Sequence, residues 1–64
     1  MEENRIPRGK KIGCEDQLVR VYDMKGNVNY EGIWDDCPYK DEEMVWCNKD
    51  GCYYIQYGYK VYGL

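Results

Sequence analysis

The residues in this chain of 64 residues that are best suited to chemistry are its four cysteines. They stand at Cys14, Cys37, Cys47 and Cys52. Four thiolates can hold one Zn²⁺ ion in a tetrahedral site without any histidine. Structural zinc sites usually take each ligand pair from a tight Cys-x2-Cys turn, whereas the shortest spacing here is Cys47-x4-Cys52. Three interpretations therefore stay open: one structural zinc ion, two hairpin disulfides, or ordinary thiols with no cofactor.

Catalysis is restricted by the residue types that the sequence lacks. It contains no His, Ser, Thr, Ala or Phe. Tyrosine is then the only hydroxyl nucleophile, and no imidazole base is present. A cysteine nucleophile would also lack the histidine that usually activates it. We expect that the chain is not an enzyme.

The size and hydropathy of the chain predict one small domain. At 7.7 kDa, such a chain buries only roughly 60% of the surface that its unfolded form exposes. No apolar run approaches the roughly 18 residues of a membrane span, and the first residues lack the apolar core of a signal peptide. We expect a cytoplasmic protein without membrane contact, in which thiols or metal ligands are more common than disulfides.

Alternating apolar residues, rich in Val, Ile, Tyr and Trp, favour strands over helices. Residues 18–23 and 28–34 predict a first hairpin whose turn contains Gly26. A turn centred on residues 25 and 26 sets Arg20 opposite Glu31, which is a favourable cross-strand charge pair. The same register pairs Leu18 with Ile33, Val21 with Tyr30 and Cys14 with Cys37. It places on the core side Val19, Val21, Tyr30 and Trp34.

A second hairpin is predicted from residues 44–47, a turn through Asp50 and Gly51, and one long strand over residues 52–62. Closing this turn sets Cys47 opposite Cys52. The inner face then contains Trp46, Tyr53, Ile55, Tyr57, Tyr59 and Val61. The outer face contains Cys52, Tyr54, Gln56, Lys60 and Tyr62. A bulge at Gly58 would exchange the two faces beyond it.

Around these hairpins we expect a basic N-terminal arm over residues 1–11 and a single β domain over residues 12–64, with Ile12 opening a short edge strand. Four or five short antiparallel strands close most economically as a small bent barrel or half-barrel. The order of a basic Gly-Lys-Lys-Ile segment, a hairpin with Tyr-Glu-Gly-Ile-Trp, an acidic loop and a second hairpin resembles SH3-like and Tudor-like barrels. The resemblance implies an all-β meander and says nothing about function.

The loop between the hairpins, residues 35–43, holds five acidic side chains and one basic one, a net charge of -4. The chain also has eight tyrosines and no phenylalanine, and each tyrosine hydroxyl needs a partner or water. Tyrosine is a frequent contact residue in protein interfaces. The candidate partner-binding residues are Asp35, Asp36, Tyr39, Asp41, Glu42, Glu43, Tyr54 and Tyr62.

These features predict a small acidic module that binds another protein with a basic surface. A stoichiometric inhibitor or adaptor, of the kind that phages and mobile elements encode, suits this size and charge. Nucleic acid is a less favoured partner because the net charge is -3 and the pI is about 4.8. The alternatives are a zinc-stabilised nucleic-acid-binding module that uses residues 5–11, and a structural subunit that self-associates through the strand over residues 53–62.

Overall fold

The computed structural model describes residues 8–40 and 43–64 of the chain. These residues form five antiparallel strands in one sheet and a single short 3₁₀ helix, which confirms the all-β prediction. In chain order the elements are β1 (Leu18–Tyr22), β2 (Val28–Ile33), the 3₁₀ helix (Trp34–Asp36), β3 (Met44–Cys47), β4 (Cys52–Ile55) and β5 (Lys60–Gly63).

The sheet is open. Its strand order is β2-β1-β5-β4-β3, so β2 and β3 form the two edges and do not pair with each other within the described residues. A closed barrel would require that pairing. The fold is therefore an open five-stranded antiparallel sheet.

The first hairpin has the register that the sequence predicts. Leu18 pairs with Ile33 and Arg20 pairs with Glu31, and the Arg20 guanidinium lies 3.4 Å from the Glu31 carboxylate. The Asp23 carboxylate fixes the turn by accepting hydrogen bonds of 2.9 Å from the backbone amides of Lys25 and of Asn27. An aspartate that binds backbone amides in this way stabilises a turn locally.

The second hairpin also has its predicted register, with Cys47 opposite Cys52 and Met44 opposite Ile55. The long strand predicted over residues 52–62 is wrong, because the chain turns at residues 56–59. Gly58 has a φ of 89°, and its amide donates a 2.9 Å hydrogen bond to the Ile55 carbonyl. Tyr57, predicted on the inner face, lies in this turn and is 62% exposed.

The turn at Gly58 also changes the expected mode of self-association. It divides the predicted strand into β4 and β5, which pair with each other. Strand β5 lies between β4 and β1, and neither half is an edge of the sheet. Residues 53–62 are therefore not available for the edge-to-edge pairing predicted for them.

The sheet carries one apolar cluster on each face. The first cluster, buried beneath Ile12 and Tyr39, consists of Val19, Val21, Trp34, Cys37, Ile55 and Val61. The second cluster consists of Tyr22, Cys52 and Tyr62, with Tyr54 packed against it. Side chains alternate between the two faces along each strand, which separates Val61 from its neighbour Tyr62.

The N-terminal segment contacts the end of the sheet without forming the edge strand predicted at Ile12. Lys10 makes a single bridge to Gly63, and the Gly9 amide donates a 2.9 Å hydrogen bond to the Gly51 carbonyl. A Cβ atom on residue 63 would lie 2.3 Å from the Lys10 carbonyl oxygen, so this close approach requires glycine. Ile12 instead packs against the first cluster. Of the predicted basic arm, residues 1–7 lie outside the described residues.

Candidate binding surfaces

Four exposed carboxylates lie together at one end of the first hairpin. We call this group the acidic surface, and its members are Glu15, Asp16, Asp35 and Asp36. The Asp35 amide donates a 2.8 Å hydrogen bond to the Glu15 carbonyl, and the Trp34 amide donates one of 2.8 Å to the Gln17 carbonyl. These two bonds hold the turn at residues 14–16 against the 3₁₀ helix.

Lys40 connects the two segments of the acidic surface electrostatically. Its ammonium nitrogen lies 2.8 Å from an Asp35 carboxylate oxygen and 4.0 Å from a Glu15 carboxylate oxygen. Four carboxylates and one ammonium leave this region with a charge of -3. Exposed ion pairs are weak, so the region keeps a strongly negative potential.

The predicted acidic loop is only partly represented in the acidic surface. Asp35 and Asp36 belong to it, Glu43 is exposed directly before β3, and Asp41 and Glu42 lie outside the described residues. Glu15 and Asp16 were not predicted as members, because 20 positions separate residue 15 from residue 35. The register of the first hairpin would have predicted them, because continuing the β1–β2 pairing brings residues 14–17 beside residues 34–37.

The predicted contact residue Tyr39 has a structural role in this fold. Its ring centroid lies 5.1 Å from that of Tyr59 at an interplanar angle of 82°, which is an edge-to-face arrangement. Both rings pack against the first cluster, and Tyr39 is half-buried. It supports the loop that leads away from the acidic surface and presents only part of its ring to a partner.

Tyr62 and Tyr54, the predicted contact residues of the outer face, are less accessible than expected. Tyr62 is 3% exposed because its ring packs edge-to-face on Tyr22, with centroids 5.3 Å apart. The prediction that Tyr62 is a surface contact is therefore wrong. Tyr54 is half-buried, and its hydroxyl donates a hydrogen bond to the Asp50 carboxylate. That bond raises the pKa of Tyr54, and burial raises the pKa of Tyr62.

The face of the sheet that carries the second cluster also carries exposed apolar side chains. The three residues of this cluster and Tyr54, which packs against it, all lie in strands, whereas Trp34 of the first cluster, and Ile12 and Tyr39 that pack against that cluster, lie outside the strands. A row of three exposed apolar side chains crosses β2, β1 and the residue after β5. They are Ile33 at 37% exposed, Leu18 at 54% and Leu64 at 39%. Among the described residues, no apolar side chain from outside the strands packs against the second cluster.

The four cysteines occupy different environments in the fold. Cys47 and Cys52 are direct cross-strand neighbours. Cys14 is exposed, and its hydrogen bond with Asp16 raises the pKa of its thiol, whereas Cys37 is buried in the first cluster. Cys37 and Cys52 belong to clusters on opposite faces. Within residues 8–40 and 43–64, no group of three or more His, Cys, Asp or Glu side chains is placed to hold a metal ion.

Basic and aromatic side chains lie beside the β3–β4 turn, at the same end of the strands as the acidic surface but toward the opposite edge of the sheet. We call this group the basic surface, and its members are Arg8, Lys10, Lys11, Lys49 and Trp46. The Lys11 ammonium lies 5.6 Å from the centroid of the Trp46 ring, which itself packs 4.9 Å from the Tyr53 ring. The Arg8 guanidinium donates a 2.9 Å hydrogen bond to the Asn48 carbonyl.

Comparisons with known proteins give no relative for this chain: no family model, curated protein or solved structure matches it. The described residues contain no helix long and apolar enough to cross a membrane. Function is therefore inferred from the surfaces alone.

Proposed function

We propose that this chain is a non-catalytic binding module that captures another protein through the acidic surface. The observation that supports this most directly is that backbone hydrogen bonds hold two separate segments together, and that these segments carry four exposed carboxylates. Complementary charge raises the rate of encounter with a basic partner and selects against acidic ones. A stoichiometric inhibitor or adaptor in the cytoplasm suits such a small acidic chain.

The acidic surface is held in place before any partner arrives. Trp34, the first residue of the 3₁₀ helix, is only 9% exposed and belongs to the first cluster. Cys37, which follows this helix, is 5% exposed in the same cluster. Two buried anchors around Asp35 and Asp36 reduce the conformational entropy that binding would otherwise cost.

An SH3-like or Tudor-like barrel is the finer form of the fold that we propose. Neighbouring strands follow the cyclic order β1, β2, β3, β4, β5 and back to β1, interrupted only between β2 and β3. Residues 34–43 connect those two strands along the chain. Pairing of β2 with β3 would complete a five-stranded barrel of that type.

The experiment that tests the function compares two double variants with the same net charge. Glu15→Gln with Asp36→Asn removes two carboxylates from the acidic surface and changes the net charge from -3 to -1. Asn29→Lys with Gln56→Lys makes the same change at two exposed positions outside that surface. Each protein is immobilised, incubated with a lysate of the source cells and analysed by quantitative mass spectrometry.

We expect the first variant to lose basic proteins that the unmodified chain captures and that the second variant retains. Loss with both variants would mean that net charge alone attracts the captured proteins. Retention with both would mean that the acidic surface is not the binding surface. Either result contradicts the proposal.

The second candidate function is nucleic acid binding, and the basic surface is the observation that favours it. Base stacking on Trp46, with Arg8 and Lys11 neutralising phosphates, would resemble single-strand binding by small β domains. Fluorescence anisotropy with a labelled single-stranded oligonucleotide tests it. Binding that weakens steeply with salt and is lost in Lys11→Gln would support this candidate. The absence of binding at low salt would remove it.

A structural role in a larger assembly is the third candidate. The strand first predicted to mediate it is internal to the sheet, so β2 and β3 are the edges through which copies could pair. Light scattering during size-exclusion chromatography measures the mass directly. A mass above that of one chain at micromolar concentration would support this candidate, and a monomer would oppose it.

A further inference from the structure

Cys47 and Cys52 occupy directly opposite positions at the ends of β3 and β4 that adjoin the turn. Directly opposed residues in an antiparallel pair have Cα atoms about 4.5–5.5 Å apart. Disulfides join residues whose Cα atoms lie about 4.4–6.8 Å apart. A bond between these two sulfurs therefore needs no change in the register of the hairpin.

We propose that Cys47 and Cys52 form a reversible thiol–disulfide site that reacts with low-molecular-weight disulfides of the glutathione class. The other two cysteines are placed differently. Cys14 is exposed in the turn at residues 14–16, and Cys37 is buried on the opposite face from Cys52. The site is therefore specific to one pair among the four thiols.

The order of the two steps follows from accessibility. Cys47 is half-buried, whereas Cys52 is fully buried, so the incoming disulfide reaches Cys47 first. The Cys47 thiolate attacks one sulfur of oxidised glutathione, forms a mixed disulfide and releases one glutathione thiolate. The Cys52 thiolate then attacks the Cys47 sulfur and releases the second. Two protein thiols and one oxidised glutathione become one protein disulfide and two molecules of reduced glutathione.

The surroundings of the pair support a site that is reduced at rest. The Tyr54 hydroxyl is the main cause of the lowered pKa of Asp50 and the Cys47 thiol adds to it, while the Cys52 thiol adds to the effect of burial in raising the pKa of Tyr62. Burial raises the pKa of the Cys52 thiol, which disfavours its spontaneous ionisation. Both thiols therefore have polar partners in the reduced protein, and oxidation exchanges these contacts for a covalent bond.

A disulfide between Cys47 and Cys52 would constrain an edge strand of the sheet. In the described part of the chain, β3 pairs with β4 and with no other strand. A disulfide at Cys47 ties the end of β3 to β4, which is interior to the sheet. The redox state of the pair thus controls how firmly this edge is attached.

The test uses the full chain, reduced and then freed of reductant. It is incubated with excess oxidised glutathione, quenched in acid, alkylated with N-ethylmaleimide under denaturing conditions and digested with trypsin. Lys49 lies between the two cysteines, so cleavage there separates them into the peptides 41–49 and 50–60. These peptides stay joined only if a disulfide links them.

We expect the joined peptides both in the unmodified chain and in the control variant Cys14→Val. Before alkylation, the oxidised control should also have an intact mass two hydrogens below that of its fully reduced form. Cys47→Val and the milder Cys47→Ser should both abolish the joined peptides. Addition of dithiothreitol should restore both thiols. If Cys47 and Cys52 are instead alkylated while Cys14 carries glutathione, or if another pair is joined, the proposal is wrong.

Discussion

Asp50 and Tyr54 form a hydrogen bond across the turn of the second hairpin, and this contact changes the ionisation of both groups. Accepting the Tyr54 hydroxyl lowers the pKa of Asp50 from its ordinary value of 3.8. Asp23 has a similar role in the first hairpin, where backbone amides, led by that of Asn27, lower its pKa. Each hairpin turn is therefore stabilised by an ionised aspartate.

We expect the stability of the fold to decrease in acid because of these two carboxylates. Their pKa values are lower in the folded protein, so the unfolded chain binds protons first as the pH falls. The stabilisation is complete above the unfolded value near 3.8 and is lost as the pH falls through the folded values. Urea unfolding followed by tryptophan fluorescence, repeated from about pH 6 to about pH 2, measures this slope.

Asp50→Asn and Tyr54→Phe should each make the stability less dependent on pH in acid. The second variant keeps the carboxylate and removes only the hydroxyl that lowers its pKa. If Tyr54→Phe leaves the dependence on pH unchanged, the hydrogen bond is not the cause of the Asp50 shift.

At the scale of the elements, the position of the turn between β4 and β5 depends on Gly58. Its φ of 89° is a conformation that side chains with a Cβ disfavour, and a Cβ here would also lie 2.6 Å from the Met24 sulfur. Gly58→Ala should lower the free energy of unfolding by about 1–2 kcal/mol, which is the usual cost of this backbone region for an alanine. Urea titration measures the change.

Gly13→Ala is the matched control for Gly58→Ala. The nearest atom to a Cβ at residue 13 is the Gln17 amide oxygen at 3.9 Å, an ordinary contact. The control should therefore retain the stability of the unmodified chain. Equal losses in the two variants would mean that the turn at Gly58 is not specially strained by a side chain.

Both hairpin registers could be predicted from the sequence, because glycine turns and the opposite charges of Arg20 and Glu31 define them locally. The turn at Gly58 could not, since the tyrosines on either side alternate as they would in a continuous strand. The burial of Tyr62 was missed for a different reason. Periodicity assigns a residue to a face, but the packing of Tyr62 on Tyr22 depends on the neighbouring strand.

Only half of the acidic surface could be predicted. Asp35 and Asp36 stand in an obvious run of acidic residues, whereas Glu15 and Asp16 join them through the pairing of distant backbone segments. The positions of the cysteines could also be predicted only in part from the sequence. The Cys47–Cys52 pairing followed from a short turn, but the placement of Cys37 in the first cluster depends on the packing of the whole sheet.

At the scale of the whole molecule, the fold should not depend on zinc. Cys37 and Cys52 lie in clusters on opposite faces, so a site using all four thiols would require the sheet to rearrange. We expect the thermal unfolding midpoint to be the same with and without a strong chelator, and the native mass to equal that of the chain alone. A lower midpoint with chelator, or a native mass higher by one zinc ion, would support the zinc interpretation instead.

The molecule carries opposite charges at one end of its strands, with the acidic surface toward the β2 edge of the sheet and the basic surface toward the β3 edge. The acidic surface is built from residues 14–16 and the 3₁₀ helix, and the basic surface from residues 8–11 and the β3–β4 turn. Such separation orients an approaching charged partner. The two main candidate functions therefore predict contacts in different parts of one small sheet.

The most direct test of protein binding through the acidic surface is an NMR titration of the ¹⁵N-labelled chain with a purified captured protein. Each backbone amide reports on its own surroundings, so the contact region can be read residue by residue. We expect the largest shift changes at residues 14–17 and 34–37, and a much weaker response in the Glu15→Gln, Asp36→Asn variant. Changes confined to residues 8–11 and 46–49 would contradict the account and assign binding to the basic surface.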